Sequence, residues 1–372
     1  MGNSFERGNI FAGYEIEYLL GSGGMGEVYL AQDRDLPRKI ALKVLPALAS
    51  IDPASRKRFE REAHAVAALT HPNIVAIHAG GEERGRPWIA MAYIDGSDLD
   101  AELQRGPIAA ERAVSIVSDI AEALDHAHDR GFLHRDVKPA NVLLTSGRRE
   151  RAILGDFGIA KSLDETSQLT GTSNMIASIR YAAPERFDPQ ATVDNRSDVY
   201  SLGCVLFQLL TGSLPYDGDI WQIIAARATG SVPRVSAQNA SIATGFDDVI
   251  DQALAKDAGG RFESCSQLAT AALRALEAQP KPPHRLEEIQ QAWQEIKSAT
   301  RPYGSTLLAL LSGASLVRLE GWTIVLTHPS PPLMQRLETP RNRAGLLAAI
   351  RLVLGSTDYE FRWEAQAANS RR

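Results

Sequence analysis

Five polar residues fall within the eight positions of the segment HRDVKPAN: His134, Arg135, Asp136, Lys138 and Asn141. They are of the types that phosphoryl transfer requires, in an order that a polar turn after a helix does not explain. Asp136 can accept a hydroxyl proton and aim the nucleophile, worth about 10²–10⁴ in rate. Lys138 can neutralise charge growing on the transferred group. The amide oxygen of Asn141 is a hard ligand suited to Mg²⁺. Further on, Asp156 follows the apolar run Ala152, Ile153, Leu154 and precedes Phe157 and Gly158. Alone this is a turn; at a strand end, its carboxylate is placed to chelate Mg²⁺ bridging phosphates. Lys43 stands among apolar neighbours in KIALKVL. A helix expected from Pro53 to about Leu69 puts Phe59, Glu62, Val66 and Leu69 on one face and turns Glu60 away. Glu62 is then the inward acid, and a Lys43–Glu62 pair would hold the ammonium against α- and β-phosphates. A surface salt bridge is the plainer alternative.

Upstream lies Gly21, Ser22, Gly23, Gly24, Met25, Gly26, Glu27, Val28. A G-x-G-x-x-G arrangement is expected by chance about 0.2 times in a chain with this many glycines, so its surroundings must decide. A dinucleotide site needs these glycines to open a helix, yet EVYLAQD alternates like a strand. A Walker loop needs Gly-Lys-Ser/Thr, which is absent. Glycines between two strands instead let backbone amides fold over phosphates.

The elements that must carry these groups change along the chain. Residues 11–91 hold short alternating stretches (EVYLAQD, KIALKVL, RPWIAMAYI) that predict strands around one helix. Residues 97–278 read mostly as helices, among them AAERAVSIVSDIAEALDHAHDRG, closed by Gly131 as a C-cap signal. QPKPPH at 279–284 is a linker signal. A helix from about Arg285 to Ala299 follows. Then come a helix, two strands (SLVRLE and TIVLTH), two helices and a last strand, YEFRWEA.

The 372 residues predict two or three domains. Hydrophobic residues at 44% and charged ones at 23% point to an ordinary soluble globular chain rather than a disordered or fibrous one. The net charge of −5 implies no particular partner. Residues 281–372 carry 12 Lys and Arg against 8 Asp and Glu, an ordinary solvated surface that does not indicate nucleic acid. The two cysteines, Cys204 and Cys265, have neither disulfide-framework nor metal-ligand spacing, so a reduced compartment is the simpler reading. No stretch reaches the roughly 18 apolar residues of a membrane span. The run 306–317 is interrupted by Ser312, Gly313 and Ser315, and the start lacks a secretory core. These features predict a cytoplasmic protein without membrane contact.

Taken in order, the glycine loop, Lys43, Glu62, HRDVKPAN and Asp156-Phe157-Gly158 resemble the protein kinase signature set. Ala183, Pro184, Glu185, then Asp198 in DVYSLG, and Arg261 in KDAGGRF extend the likeness over about Gly13 to Leu276. In style it is similar to the bacterial eukaryotic-like Ser/Thr protein kinases. The resemblance implies an α+β, bilobal fold, with a β-rich N-lobe and an α-rich C-lobe, plus a small C-terminal α/β domain. Its partition is 11–278 for the kinase domain (lobes about 11–92 and 95–278), 279–300 for linker and helix, and 301–372 for the accessory domain. It implies ATP with Mg²⁺, or Mn²⁺ in its place, as cofactors. Gly21, Ser22, Gly23, Gly24, Met25 and Gly26 would cover the phosphates, while Val28 and Ala41 enclose adenine from above. Met91 falls at the gatekeeper, Tyr93 and Ile94 at the hinge, and Leu143 at the pocket floor. Lys43, Glu62, Asp136 and Lys138 would be catalytic, and Asn141 and Asp156 would hold metal. Glu185 with Arg261 would form a buried ion pair, and Asp198 would anchor the catalytic loop.

Lys138, two residues after the base, is the Ser/Thr-kinase type, so protein Ser and Thr hydroxyls are the implied acceptors. Arg135 precedes the base, the type activated through its activation segment; by similarity Thr170 and Thr172 are the expected autophosphorylation sites. A phosphate there could pair with Arg135 and order the loop. Two positions depart from the family. Ala177 and Ser178 replace the usual Gly-Thr of the substrate-facing loop, with Ser178 keeping a hydroxyl that can bridge Asp136 and Lys138. Ala92 stands where hinge acids are common. From about Leu286 the hydrophobic pattern resembles a small domain of the bacterial DNA polymerase III gamma/tau subunit, which implies protein docking or homodimer formation; a plain capping domain is the equal alternative. Two rivals are a small-molecule kinase, which would lack the Ala-Pro-Glu segment, and a pseudokinase scaffold, which would lack one of the catalytic groups.

Overall fold

In the computed structural model, residues 5–23, 26–46, 66–147, 149–157, 178–188, 190–239, 241–278 and 284–365 are described. The first ninety residues build a sheet because their alternation gives each strand one apolar face. The strands are β1 (Ile10–Phe11), β2 (Tyr14–Gly23), β3 (Gly26–Asp33), β4 (Lys39–Val44), β5 (Ile77–Glu83) and β6 (Arg86–Ala92). They pair antiparallel in the order β1-β2-β3-β4-β6-β5. Ile40, Leu42 and Val44 join Phe11, Ile16, Tyr29 and Ala90 in one core on one face. Ala41 and Lys43, a residue out of phase, must point to the other. Register places Lys43 opposite Val28 and Ala41 opposite Met91, so these four share that second face. The turn between β2 and β3 needs Gly26: its φ is +116°, and a Cβ there would lie 2.3 Å from the Val44 carbonyl oxygen.

Helices dominate the following residues: α1 (Leu99–Leu103), α2 (Ala110–His128), α3 (Arg196–Thr211), α4 (Ile220–Thr229), α5 (Val235–Gln238), α6 (Gly245–Ala253) and α7 (Cys265–Glu277). Thirteen of the sixteen residues of α3 are buried, as a helix apolar on all sides must be. It ends at Gly212 in the left-handed region, φ +77°. The amphipathic α2 packs against α3 and α7. Gly131, at φ +76°, closes α2 as expected: its N–H donates to the His128 carbonyl at 2.9 Å, and the next N–H, that of Phe132, donates to the Ala127 carbonyl at 3.0 Å. This region also holds a small sheet, β7 (Gly96–Asp98), β8 (Val142–Thr145) and β9 (Ala152–Leu154). The apolar run 152–154 reads as a strand, whereas β7 does not, because three residues are too few to show alternation.

The chain divides into two compact units, 1–278 and 279–372. The second contains α8 (Leu286–Ala299), α9 (Ser305–Leu310), β10 (Ser315–Glu320), β11 (Thr323–His328), α10 (Pro331–Leu337), α11 (Pro340–Leu354) and β12 (Glu360–Ala365). The sheet runs β10-β11-β12, with β10 and β11 antiparallel and β11 and β12 parallel. Ile289, Trp293, Ile296, Leu326, Ile350 and Phe361 belong to a core of its own. The indole of Trp293 donates to the Ala314 carbonyl at 3.1 Å. No helix among the described residues is long and apolar enough to cross a membrane.

Candidate active site

After α2 the chain turns and enters the loop that carries Asp136. Arg135 has φ +60°, a conformation that costs about 1 kcal/mol or more for a non-glycine residue and persists only where surroundings fix it. Asp198, in the first turn of α3, does so. Its carboxylate accepts the backbone N–H of His134 at 2.8 Å and of Arg135 at 2.9 Å, and the imidazole Nε2 of His128 at 2.8 Å. Asp198 is 1% exposed, and burial alone would raise its pKa; the hydrogen bond from His128 and the loop N–H groups bring it below the usual carboxylate range instead. His128 is the counterpart. Burial would lower its pKa, but the carboxylates of Asp125, 3.7 Å from Nδ1, and of Asp198, hydrogen-bonded to Nε2, carry it up to about 9.

His134 is fully buried and joins two segments. Its Nδ1 accepts the Asp136 N–H at 3.2 Å, so Nε2 carries the proton and donates to the Gly155 carbonyl at 3.0 Å. Burial depresses its pKa, in keeping with a neutral ring. Its ring lies 4.6 Å from that of Phe157. The Gly155 N–H donates to the Asn141 carbonyl at 2.9 Å. The residue before Asp156 is thereby fastened on both sides to the loop that carries Asp136.

Around Asp136 the side chains close a compact network. Lys138 Nζ lies 3.0 Å from Asp136 Oδ2 and donates to Ser178 Oγ at 3.1 Å, the bridge that the Ser178 hydroxyl makes available. Asn141, in a single 3₁₀ turn begun by Pro139, donates its amide nitrogen to the Asp136 carbonyl at 2.7 Å and to Asp136 Oδ2 at 3.1 Å. The nitrogen is committed, and the amide oxygen is left over for a cation. Asp156, φ +54°, pairs with the Lys43 ammonium. Lys43 is buried and Asp156 half exposed. Both line a recess whose other walls include Val75, Ile89, Met91 and Phe157.

Lys43 and Asp156 thus form one pair and Asp136, Lys138 and Asn141 one hydrogen-bonded network, and the backbone of Gly155, bonded to His134 and Asn141, joins the two. Val28, Ala41 and Met91 lie half-buried on the sheet face that carries Lys43, with Tyr93 and Ile94 just beyond β6. Leu143 sits half-buried on β8, so the expected roof and floor of the adenine pocket come from different sheets. Gly21, Ser22 and Gly23 form the exposed end of β2. Gly24, Met25, Glu62, Gly158, Thr170, Thr172 and Ala177 lie outside the described residues. The acid found against Lys43 among the described residues is Asp156. Glu185 and Arg261 form a bidentate pair at 2.7 and 2.9 Å, and Ser197 Oγ adds a hydrogen bond to Glu185 at 2.5 Å.

Three residues had no signal in the sequence. His128 is one of two histidines in DHAHDRG, and only its position below Asp198 distinguishes it. Ser197 and Arg227 act on groups 12 or more positions away in the chain, a separation that local spacing does not reveal.

The sequence pattern of the protein kinase domain matches residues 14–273. The serine/threonine-protein kinase PknJ of Mycobacterium tuberculosis is 46% identical over 281 residues, 74% of this chain and 47% of its own length. PknF of the same organism is 43% identical over 269 residues, 71% of this chain and 56% of its own. The crystal structure of the M. tuberculosis PknI kinase domain superposes with a TM-score of 0.59 at 38% identity, covering 73% of this chain and all of that one. The chain spans about half the length of the curated relatives it matches.

Proposed function

Because this chain belongs to the protein kinase family, we propose that it transfers the γ-phosphoryl group of ATP to Ser and Thr hydroxyls of proteins. The observation that carries this reading is the pairing of Lys43 with Asp156 beside the Asp136, Lys138 and Asn141 network, the two joined through the Gly155 backbone. ATP with a divalent cation, when bound, supplies the transferable group. Family membership implies that pair, and oxygen donors at Asn141 and Asp156 suit Mg²⁺, with Mn²⁺ as the alternative. Lys43, released from Asp156, orients phosphate oxygens by charge. The Asp136 carboxylate receives the acceptor hydroxyl's proton, and Lys138, bonded to both Asp136 and Ser178, offsets negative charge as the bond forms. Gly21 to Gly26, Val28, Ala41, Met91, Tyr93, Ile94 and Leu143 would line the nucleotide site, and Glu62 would be the second partner of Lys43. Thr170 and Thr172 would be the autophosphorylated positions. Asp136→Asn should abolish phosphate transfer to a basic acceptor protein while nucleotide binding survives. Transfer by that variant at the wild-type rate would remove Asp136 from the role. A pseudokinase scaffold has nothing in its favour, because no catalytic group named above has been replaced.

Residues 279–372 would serve as a protein-docking module, and self-association into a homodimer is the simplest form of it. Among the described residues of this unit no cluster of metal-ligating side chains occurs. Buried Cys204 and Cys265, both free thiols, favour a reducing cytoplasmic setting.

A further inference from the structure

Beneath the segment that carries Ser178 lies a buried cation, and we propose that this residue, Arg227, positions segment 178–183 for the acceptor protein. The inference rests on the phosphotransfer reading above and adds a residue to it. Arg227 projects from the last turn of α4 and is 2% exposed. Its Nη1 donates to the carbonyls of Ile179 at 2.6 Å and Ala182 at 2.7 Å, and its Nη2 donates to the carbonyl of Arg180. The remaining carbonyl of this stretch, that of Tyr181, accepts the Ser201 hydroxyl of α3 at 2.9 Å. Four successive peptide oxygens are thus held, three of them by one guanidinium.

Two features show that this is more than packing. No carboxylate among the described residues pairs with Arg227, and the rings of Tyr200 and Tyr216 lie 5.8 and 6.0 Å from its guanidinium carbon. An unpaired cation is expensive to bury. Here the carbonyl dipoles and ring faces stabilise it, so it stays in place only while residues 179–182 keep this conformation. The dependence runs both ways. The base of α4 is itself fixed by a capping box in which Asp219 accepts from Gln222 N–H at 2.9 Å and Gln222 accepts from Asp219 N–H at 2.9 Å. Only a planar fork reaches three diverging carbonyls; an ammonium is a single point.

The held segment leads directly to the reacting groups. Ser178 precedes Ile179 and accepts from Lys138, which sits 3.0 Å from Asp136. A displacement of about 1 Å at such a site costs about 10²-fold in reactions that depend on orientation. Arg227 touches neither Lys43 nor Asp156, so its influence should fall on the acceptor rather than on ATP.

Steady-state kinetics of the full chain with myelin basic protein as acceptor would test this, using Arg227→Lys and Arg227→Ala. The expected result is a rise of about tenfold or more in KM for the acceptor, with KM for ATP within about twofold of wild type. A residue that merely packs would reduce the folded fraction, lowering apparent kcat and leaving acceptor KM unchanged; that result overturns the proposal. Amide exchange on the same samples needs no turnover. The N–H groups of Tyr181 and Ala182, bonded to the carbonyls of Ser178 and Ile179, should exchange faster in Arg227→Lys. Unchanged exchange refutes the role of Arg227 even if the wild-type chain proves inactive, which would instead count against the phosphotransfer reading. If Arg227→Ala fails to fold, Arg227→Lys carries the test. Failure of both to fold would assign Arg227 to the core and overturn the proposal.

Discussion

Individual side chains here act through a few buried charges. His128 lies between Asp125 and Asp198, and its pKa of about 9 means that the folded protein holds an imidazolium at neutral pH. That value exceeds the unfolded one of about 6.5, so the stabilisation is complete below about pH 6 and is lost as pH rises through about 9. Its size is on the order of 3 kcal/mol, taking one pKa unit as about 1.4 kcal/mol. Urea midpoints of wild type and His128→Gln should therefore converge between pH 7 and 10; a constant gap across that range would refute the assignment. Asp198→Ala leaves the His134 and Arg135 N–H groups and a charged His128 without their acceptor. We expect a loss of about 3–5 kcal/mol, read from denaturant unfolding at pH 7. A loss under about 1 kcal/mol would show that the loop does not depend on this carboxylate.

At the scale of elements, close approach decides what a position tolerates. Gly96 in β7 faces the backbone of β8, and a Cβ there would lie 1.8 Å from the Leu144 carbonyl oxygen. Gly96→Ala must push the two strands apart. It should cost about 1–3 kcal/mol, the usual range for a strained or overpacked site, and lower the melting temperature; an unchanged melt would mean that β7 shifts freely. The turn after α6 is tied to the segment before α3 by the Glu185–Arg261 pair, whose pKa balance is burial raising Glu185 against Arg261 and Ser197 lowering it, with lowering the net result. Arg261→Ala strands the Glu185 carboxylate in a buried position, and a loss of about 3–5 kcal/mol is expected in the same unfolding measurement. These elements were unequally legible. β4 could be read from Ile40, Leu42 and Val44, and α3 from its unbroken apolar run. β7 could not, since its pairing with β8 depends on residues some 47 positions away.

For the molecule as a whole, the two units have separate hydrophobic cores. Residues 284–365 enclose Trp293, Tyr359 and Phe361 within their own helices and three-stranded sheet. We expect residues 279–372, expressed alone, to unfold as one cooperative transition by circular dichroism. A gradual, non-cooperative melt would show that this unit needs the rest of the chain. The order of elements in this unit was evident from hydrophobic period. The parallel pairing of β12 with β11 was not, because it joins strands separated by two helices.

By itself the sequence determined which candidate groups the chain carries and in what order: a glycine turn, a strand lysine, an acid–lysine–asparagine loop and a strand-end aspartate, with the linker that divides the chain. Those depend on residue type and short spacing, which a linear pattern records. Tertiary structure alone decided which charges meet. Lys43 pairs with an aspartate 113 positions later, His128 supports Asp198 from 70 positions earlier, and Arg227 collects carbonyls 45–48 positions away. Such contacts arise when apolar faces pack and leave a few polar groups that must find partners inside, and the chain's local pattern does not say which ones.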